Sequence, residues 1–177
     1  GHIRSEAQRL VTLIGDIIRL SQLDEGEPMP TETVDLLEVT REAAENLQTA
    51  AAAHDVTVTV EGQPAELEGV RRLLYEIVYN LCDNAIKYNV TGGRVDLSVS
   101  CTGGTAAVMV RDTGIGIPAD QQDRVFERFY RVDKSHSKAS GGTGLGLSIV
   151  KHAVQYHHGV IELKSELGKG TEIRVTF

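Results

Sequence analysis

Glu76, Asn80, Asn84 and Lys87 recur at i, i+4, i+8 and i+11, a spacing that places four polar side chains on one stripe of an α-helix. Amide oxygens suit a hard cation and a neighbouring ammonium can hold phosphate, so the stripe suits a Mg–phosphate group. An ordinary exposed helix face would give the same pattern if it stood alone. A second group, Asp112-Thr113-Gly114-Ile115-Gly116-Ile117-Pro118, directly follows a strand-like run. An Asp at a strand end can accept a hydrogen bond from an exocyclic amine, and Gly114 and Gly116 let backbone approach a flat ring. Asp-Thr-Gly also occurs in aspartic proteases, but those need a second copy and this chain has none. A third group, Gly141-Gly142-Thr143-Gly144-Leu145-Gly146, leads into a helix and offers backbone N–H groups and a positive dipole end to an anion. It fits neither the Walker nor the Rossmann pattern. Between the two glycine groups lie Phe126, Glu127, Arg128, Phe129, Tyr130 and Arg131, then Lys134 and Lys138 in a Ser/Gly-containing stretch of a length that suits a lid.

These groups need a scaffold. Leu10, Leu13, Ile14, Ile17, Ile18 and Leu20 recur at helical spacing over residues 3–23, with Val11 widening the stripe, so this helix wants partners in a bundle. After Pro28-Met29-Pro30, Thr31–Val34 reads as extended, and Asp35 with Glu38 opens a helix reaching about Ala53. Val56–Val60 alternates as a strand, and a long helix runs from about Gly69 to Tyr88, with Leu74, Ile77, Val78, Leu81 and Ala85 toward a core. Arg94–Cys101 and Thr105–Val110 form a hairpin around Gly103-Gly104, a short helix lies near Asp120–Phe129, Leu145–His157 is helical, and Val160–Ser165 pairs with Thr171–Phe177. The class is α+β, one helical layer on a mainly antiparallel sheet.

The 177 residues, 41% hydrophobic and 24% charged, allow one domain plus an appended element and exclude disordered or disulfide-stapled classes. Cys82 and Cys101 lie outside any Cys-x-x-Cys spacing, so they read as small apolar residues of a reducing compartment. The net charge of −7 argues against a nucleic-acid surface. That charge is unevenly spread: residues 1–63 hold 12 acidic and four basic residues, whereas residues 124–151 hold six basic and two acidic ones. The stretch suited to a lid is thus locally basic.

The groups, in this order, resemble the ATP-binding domain of bacterial sensor histidine kinases, within the superfamily that also holds the Hsp90, gyrase and mismatch-repair ATPases. Residues Asn80 to Tyr88 look like its N box, Asp112 to Gly116 its first glycine box, Phe126 to Arg131 its F box, and Gly142 to Leu147 its second glycine box. Gly168-Lys169-Gly170-Thr171 before a last strand is similar to the family's end. The N-terminal helix, with Leu20-Ser21-Gln22-Leu23-Asp24-Glu25-Gly26, resembles the second helix of a dimerisation and phosphoacceptor hairpin in kinases of the phosphate-regulon sensor type.

The resemblance implies the Bergerat fold, a two-layer α/β sandwich of mixed sheet on three main helices. It implies a partial hairpin at 3–27 and a catalytic ATP-binding domain at 28–177. Asn80 and Asn84 are then expected to hold Mg²⁺, Lys87 to meet phosphate, Tyr88 to lie against ATP, and Asp112 to bind the adenine amine. Gly114 and Gly116 would shape the adenine pocket, and Gly142, Thr143, Gly144, Leu145 and Gly146 would close over the triphosphate. Arg131 would reach the terminal phosphate, and Glu76 matches a general-base position of the ATPase relatives. The implied activity is protein-histidine kinase, acting on a phosphoacceptor hairpin and through it on a response regulator. The setting is a homodimeric sensor whose cytoplasmic part this is, in an inner or plasma membrane. None of His54, His136, His152, His157 and His158 is followed by Glu-Leu-Arg as a phosphoacceptor would be. The chain is therefore expected to be cut before that histidine and not to label itself. A standalone ATPase using Glu76 as base and a non-catalytic nucleotide-sensing or docking module stay open as alternatives.

Overall fold

The computed structural model describes residues 2–24, 28–127 and 146–177. Helix α1 (His2–Asp24) precedes β1 (Glu32–Asp35), α2 (Leu36–Asn46), α3 (Gln48–Ala53), β2 (Thr57–Gly62), β3 (Glu66–Gly69) and α4 (Arg71–Lys87). The hairpin β4 (Arg94–Thr102) and β5 (Thr105–Asp112), a 3₁₀ turn (Ala119–Arg124), α5 (Gly146–Tyr156), β6 (Val160–Glu166) and β7 (Gly170–Thr176) follow. The main sheet has the order β2-β4-β5-β7-β6, with only β2 and β4 parallel.

Strand alternation sets the core. Val95, Leu97 and Val99 of β4, Ala106, Val108 and Val110 of β5, and Ile173 and Val175 of β7 turn to one face. Leu36, Val39 and Ala43 of α2, Leu74, Ile77, Val78 and Leu81 of α4, and Val150, Ala153 and Val154 of α5 cover it. These are the three helices on a mixed sheet that were expected. Gly103 (φ 59) and Gly104 (φ 81) both take the left-handed conformation that a tight twisted hairpin requires.

Three local expectations are corrected. The helix expected from Asp35 to Ala53 breaks at Leu47, whose ψ of 4° redirects the chain into α3 while Leu47 and Ala51 both stay buried. Asp35 does cap α2, accepting the Leu37 N–H at 3.0 Å, and it also takes the Ala65 N–H at 3.1 Å. Gly69 lies in a strand, not in the long helix: β3 pairs antiparallel with β1, setting Leu67 opposite Val34. This strand is too short and too rich in Glu to show alternation. The short helix near 120–129 is the 3₁₀ turn, started by Pro118.

His157 ties the helical layer together. Its Nε2 accepts the Val70 N–H at the start of α4 (3.1 Å), so Nδ1 carries the proton and donates to the Ala153 carbonyl (2.7 Å). Burial holds this imidazole below the usual histidine range. Helix α1 rests on α5 through Leu20 and Leu13 against Ile149, while Leu10, Val11, Ile14, Ile17 and Ile18 are each about half exposed. Among the described residues no helix is long and apolar enough to cross a membrane.

Helix α5 ends in a Schellman arrangement: His158 N–H bonds to Gln155 O (3.0 Å) and Gly159 N–H to Val154 O (2.9 Å), with His158 at φ 58. A glycine adopts that φ without the Cβ penalty. His158→Gly is expected to raise stability by about 1 kcal/mol, read as a higher urea midpoint at unchanged slope; an unchanged or lower midpoint would show that the histidine side chain compensates for its backbone.

Candidate functional site

The α4 face carries the polar stripe on a helix whose opposite side is fully buried. Glu76 is itself 9% exposed. Asn80 Nδ2 donates to the Glu76 carbonyl one turn back (2.8 Å), which leaves the amide oxygen as the outward group. That oxygen would lie 3.3 Å from a Cβ at Gly146, so the first residue of α5 passes directly over it. Asn84 is half-buried one turn further along. Lys87 points its ammonium at Asp83 (2.9 Å), a stripe residue that the spacing of the amides did not single out.

Asp112 ends β5 at the base of the first glycine group. Its Oδ1 accepts the Gly114 N–H at 2.8 Å and the Thr171 N–H at 3.2 Å. Both bonds favour the charged carboxylate, yet burial outweighs them and pushes its pKa up to about 6. With Oδ1 committed to backbone, Oδ2 is the atom available to an incoming donor.

The loop after Asp112 is strapped on two sides. Toward α4, Ile115 N–H donates to the Tyr88 carbonyl (3.1 Å), and a Cβ at Gly114 would sit 2.4 Å from that same oxygen. Toward the β6–β7 turn, Gly168 N–H donates to Ile115 O (2.7 Å) and Ile117 N–H to Ser165 Oγ (2.8 Å). Gln122 Nε2 donates to both the Ile117 and Ser165 carbonyls (3.0 Å each). At Gly116 (φ 74) an added Cβ would lie 2.1 Å from Glu166 O, so this glycine lets the loop rest on the backbone of the β6–β7 turn. At Gly170 (φ 125) an added Cβ would lie the same 2.1 Å from Asp112 O.

On the α5 side, buried Ser148 donates to the Phe126 carbonyl (2.9 Å). The chain entering the expected lid is thereby held to the helix that leaves it. Arg131, Gly142, Thr143, Gly144 and Leu145 lie outside the described residues.

The structure thus places Glu76, Asn80, Asn84, Lys87 and Tyr88 along α4, with Gly146 over Asn80 and Gly114 against Tyr88, while Asp112 joins Gly114 to Thr171 and Gly116 rests on the β6–β7 turn. Ser165, Thr171, Gln122 and Asn89 were missed as contributors. Of these only Thr171 carried a signal, through its place after Gly168 and Gly170. Chemically, the site offers a half-buried acceptor beside a backbone turn at one end and the Asn80 amide oxygen under Gly146 at the other. Among the described residues no group of three or more His, Cys, Asp or Glu could hold a metal. A hard cation at this edge would draw on the amide oxygens of Asn80 and Asn84, whose chemistry suits it.

Residues 69–177 match the family described as histidine kinase-, DNA gyrase B-, and HSP90-like ATPase. The sensor-like histidine kinase SenX3 of Mycolicibacterium smegmatis is 41% identical over 169 residues, covering 94% of this chain and 44% of that protein. The sensor histidine kinase RppB of Synechocystis is 38% identical, covering 96% and 38%. The chain therefore spans less than half the length of these curated relatives. A solved structure of the mycobacterial sensor histidine kinase MprB superposes with a TM-score of 0.73 at 31% identity, covering 84% of this chain and 97% of that one. Full-length ShkA in complex with AMPPNP gives 0.85 at 26% identity over 99% and 37%.

The raised Asp112 pKa has a stability consequence. The folded chain holds this proton more tightly than an unfolded Asp, whose ordinary value is 3.8. Its contribution is complete below that value and is lost as pH rises through about 6. At neutral pH the ionised form weighs against the fold by up to about 3 kcal/mol. Asp112→Asn keeps the Oδ1 acceptor and removes the charge. It is expected to melt higher than wild type at pH 7.5 without nucleotide, the advantage fading by pH 4; equal melting at pH 7.5 would show that the carboxylate is solvated.

Proposed function

Because the chain belongs to the histidine kinase-, DNA gyrase B- and HSP90-like ATPase family, we propose that it is the ATP–Mg-binding catalytic domain of a two-component sensor histidine kinase. In the whole protein it would pass the γ-phosphoryl group to a histidine on a phosphoacceptor hairpin, from which a response regulator is charged. The observation that carries this is Asp112: a half-buried carboxylate with one oxygen spent on backbone and raised in pKa, which an adenine amine would satisfy. The likeness to the sensor-like histidine kinase SenX3 supports the kinase assignment.

On this reading Asp112 accepts from the adenine amine, Tyr88 lies against the nucleotide, and Gly114 admits the ring beside the α4 C-terminus. Gly116 fixes the loop on the β6–β7 turn, in keeping with its contact there. Asn80 and Asn84 hold Mg²⁺, which supplies charge neutralisation on the phosphates, and Lys87 exchanges Asp83 for a phosphate oxygen. Gly142, Thr143, Gly144, Leu145 and Gly146 offer backbone N–H groups, and Arg131 meets the terminal phosphate as transfer charge develops. Catalysis is by positioning and electrostatics, with no covalent intermediate on this chain. Helix α1, with its exposed apolar face, serves as a bundle helix of a homodimer in a membrane-anchored sensor whose cytoplasmic part this is.

The buried Glu76 beside Asn80 favours one second reading, a standalone ATPase. Steady ATP turnover abolished by Glu76→Gln would support it.

Calorimetry is expected to show Mg-ADP binding by the chain and at least a tenfold loss with Asp112→Ala; unchanged affinity would remove Asp112 from the adenine contact. With γ-labelled ATP, label is expected on a separately supplied phosphoacceptor hairpin and not on this chain. Acid-labile self-labelling would overturn the assignment of the acceptor to another segment.

A further inference from the structure

The geometry points to Asn89 as a positioning residue that sets where Asp112 stands relative to α4, an inference that rests on the adenine-nucleotide reading above. Asn89 follows Tyr88, the residue that caps α4, and its amide is engaged on three sides. Oδ1 accepts the Val90 N–H (2.8 Å) and the Thr113 hydroxyl (3.2 Å), while Nδ2 donates to the Arg94 carbonyl (2.9 Å). Thr113 answers from the other side: its Oγ1 accepts the Arg94 N–H (2.9 Å) and its own N–H donates to Arg94 O (3.2 Å). The end of α4, the start of β4 and the residue directly after Asp112 therefore close into one ring of hydrogen bonds.

Two glycines keep that ring tight. A Cβ at Gly93 would lie 2.0 Å from Asn89 Oδ1 and 2.9 Å from Thr113 Oγ1. The position is reserved by space and not by backbone conformation. A Cβ at Gly114 would lie 3.1 Å from Asn89 Cα, so the glycine after Thr113 rests on the residue that holds Thr113. Asn89 has no part in holding phosphate. It acts through Thr113 on Asp112, at the base end of a nucleotide, while Asn80 and Asn84 serve the other end.

This predicts a selective effect. Guanine presents an oxygen where adenine presents an amine, so the preference of the chain for Mg-ADP over Mg-GDP reads the placement of Asp112. Calorimetry on the full chain is expected to show Asn89→Ala and Thr113→Val each lowering that preference about tenfold, through weaker ADP binding with GDP nearly unchanged. The double variant is expected to lose no more than the worse single one, since both cut the same contact. Gly93→Ala should lower the preference in the otherwise unaltered chain and have little further effect beside Asn89→Ala. Thr113→Val keeps the shape of the side chain and carries the test if Asn89→Ala does not fold. Equal losses for ADP and GDP, additive losses in the double variant, or an intact preference would each overturn the role of Asn89. A chain that binds no ADP at all would instead overturn the reading beneath it, and the inference with it.

Discussion

Asp112 is the constraint on which the rest of the site depends. One carboxylate oxygen gathers two backbone N–H groups from segments far apart in sequence, Gly114 and Thr171, and so fixes both the first glycine loop and the last hairpin. Tyr88 holds the loop as well, at Ile115, and Ser165 holds both segments at neighbouring residues, Ile117, Gly170 and Thr171. Yet the Asp112 carboxyl is held in an environment that raises its pKa to about 6. The fold tolerates a charged group where it prefers a neutral one, which is the pattern expected where a site is kept ready for a ligand at some cost in stability.

Around that point the architecture works by straps between backbone atoms more than by side-chain pairs. Tyr88 contributes its carbonyl to Ile115, Gly168 its N–H to the same residue, and Gly116 and Gly170 let main chains touch where any side chain would intrude. Helix α4 supplies the other wall. Its apolar face is locked into the core by Leu74, Ile77, Val78 and Leu81, so the amides of Asn80 and Asn84 are displayed from a rigid element. Ser148 then joins Phe126 to α5, and Gly146 brings that helix over Asn80.

What was legible in the sequence was whatever a local pattern dictates. Alternation in Val95–Val99 and Val108–Val110 disclosed the hairpin, the apolar spacing of Leu74 to Ala85 disclosed α4, and Asp35 disclosed the cap of α2. The family was legible because the types and order of the N-box and glycine-box residues are specific. Less accessible was anything decided by contacts across the fold. β3 exists because Leu67 pairs with Val34, the break at Leu47 exists because two turns of helix must both bury, and the contact of Gly116 is a hairpin fifty residues away. Asn89 follows the expected helix end at Tyr88 without a signal of its own; only the fold reveals that Arg94 and Thr113 meet there.

The imidazole of His157 has a consequence at the level of the whole domain. Its depressed pKa means that its support is complete above the ordinary histidine value of 6.5 and drains away as acid is added. Asp112 runs the other way, gaining as pH falls through about 6. The two titrations oppose one another across the mildly acidic range, so the domain carries an internal counterweight. A change at either group would leave the slope that the other supplies.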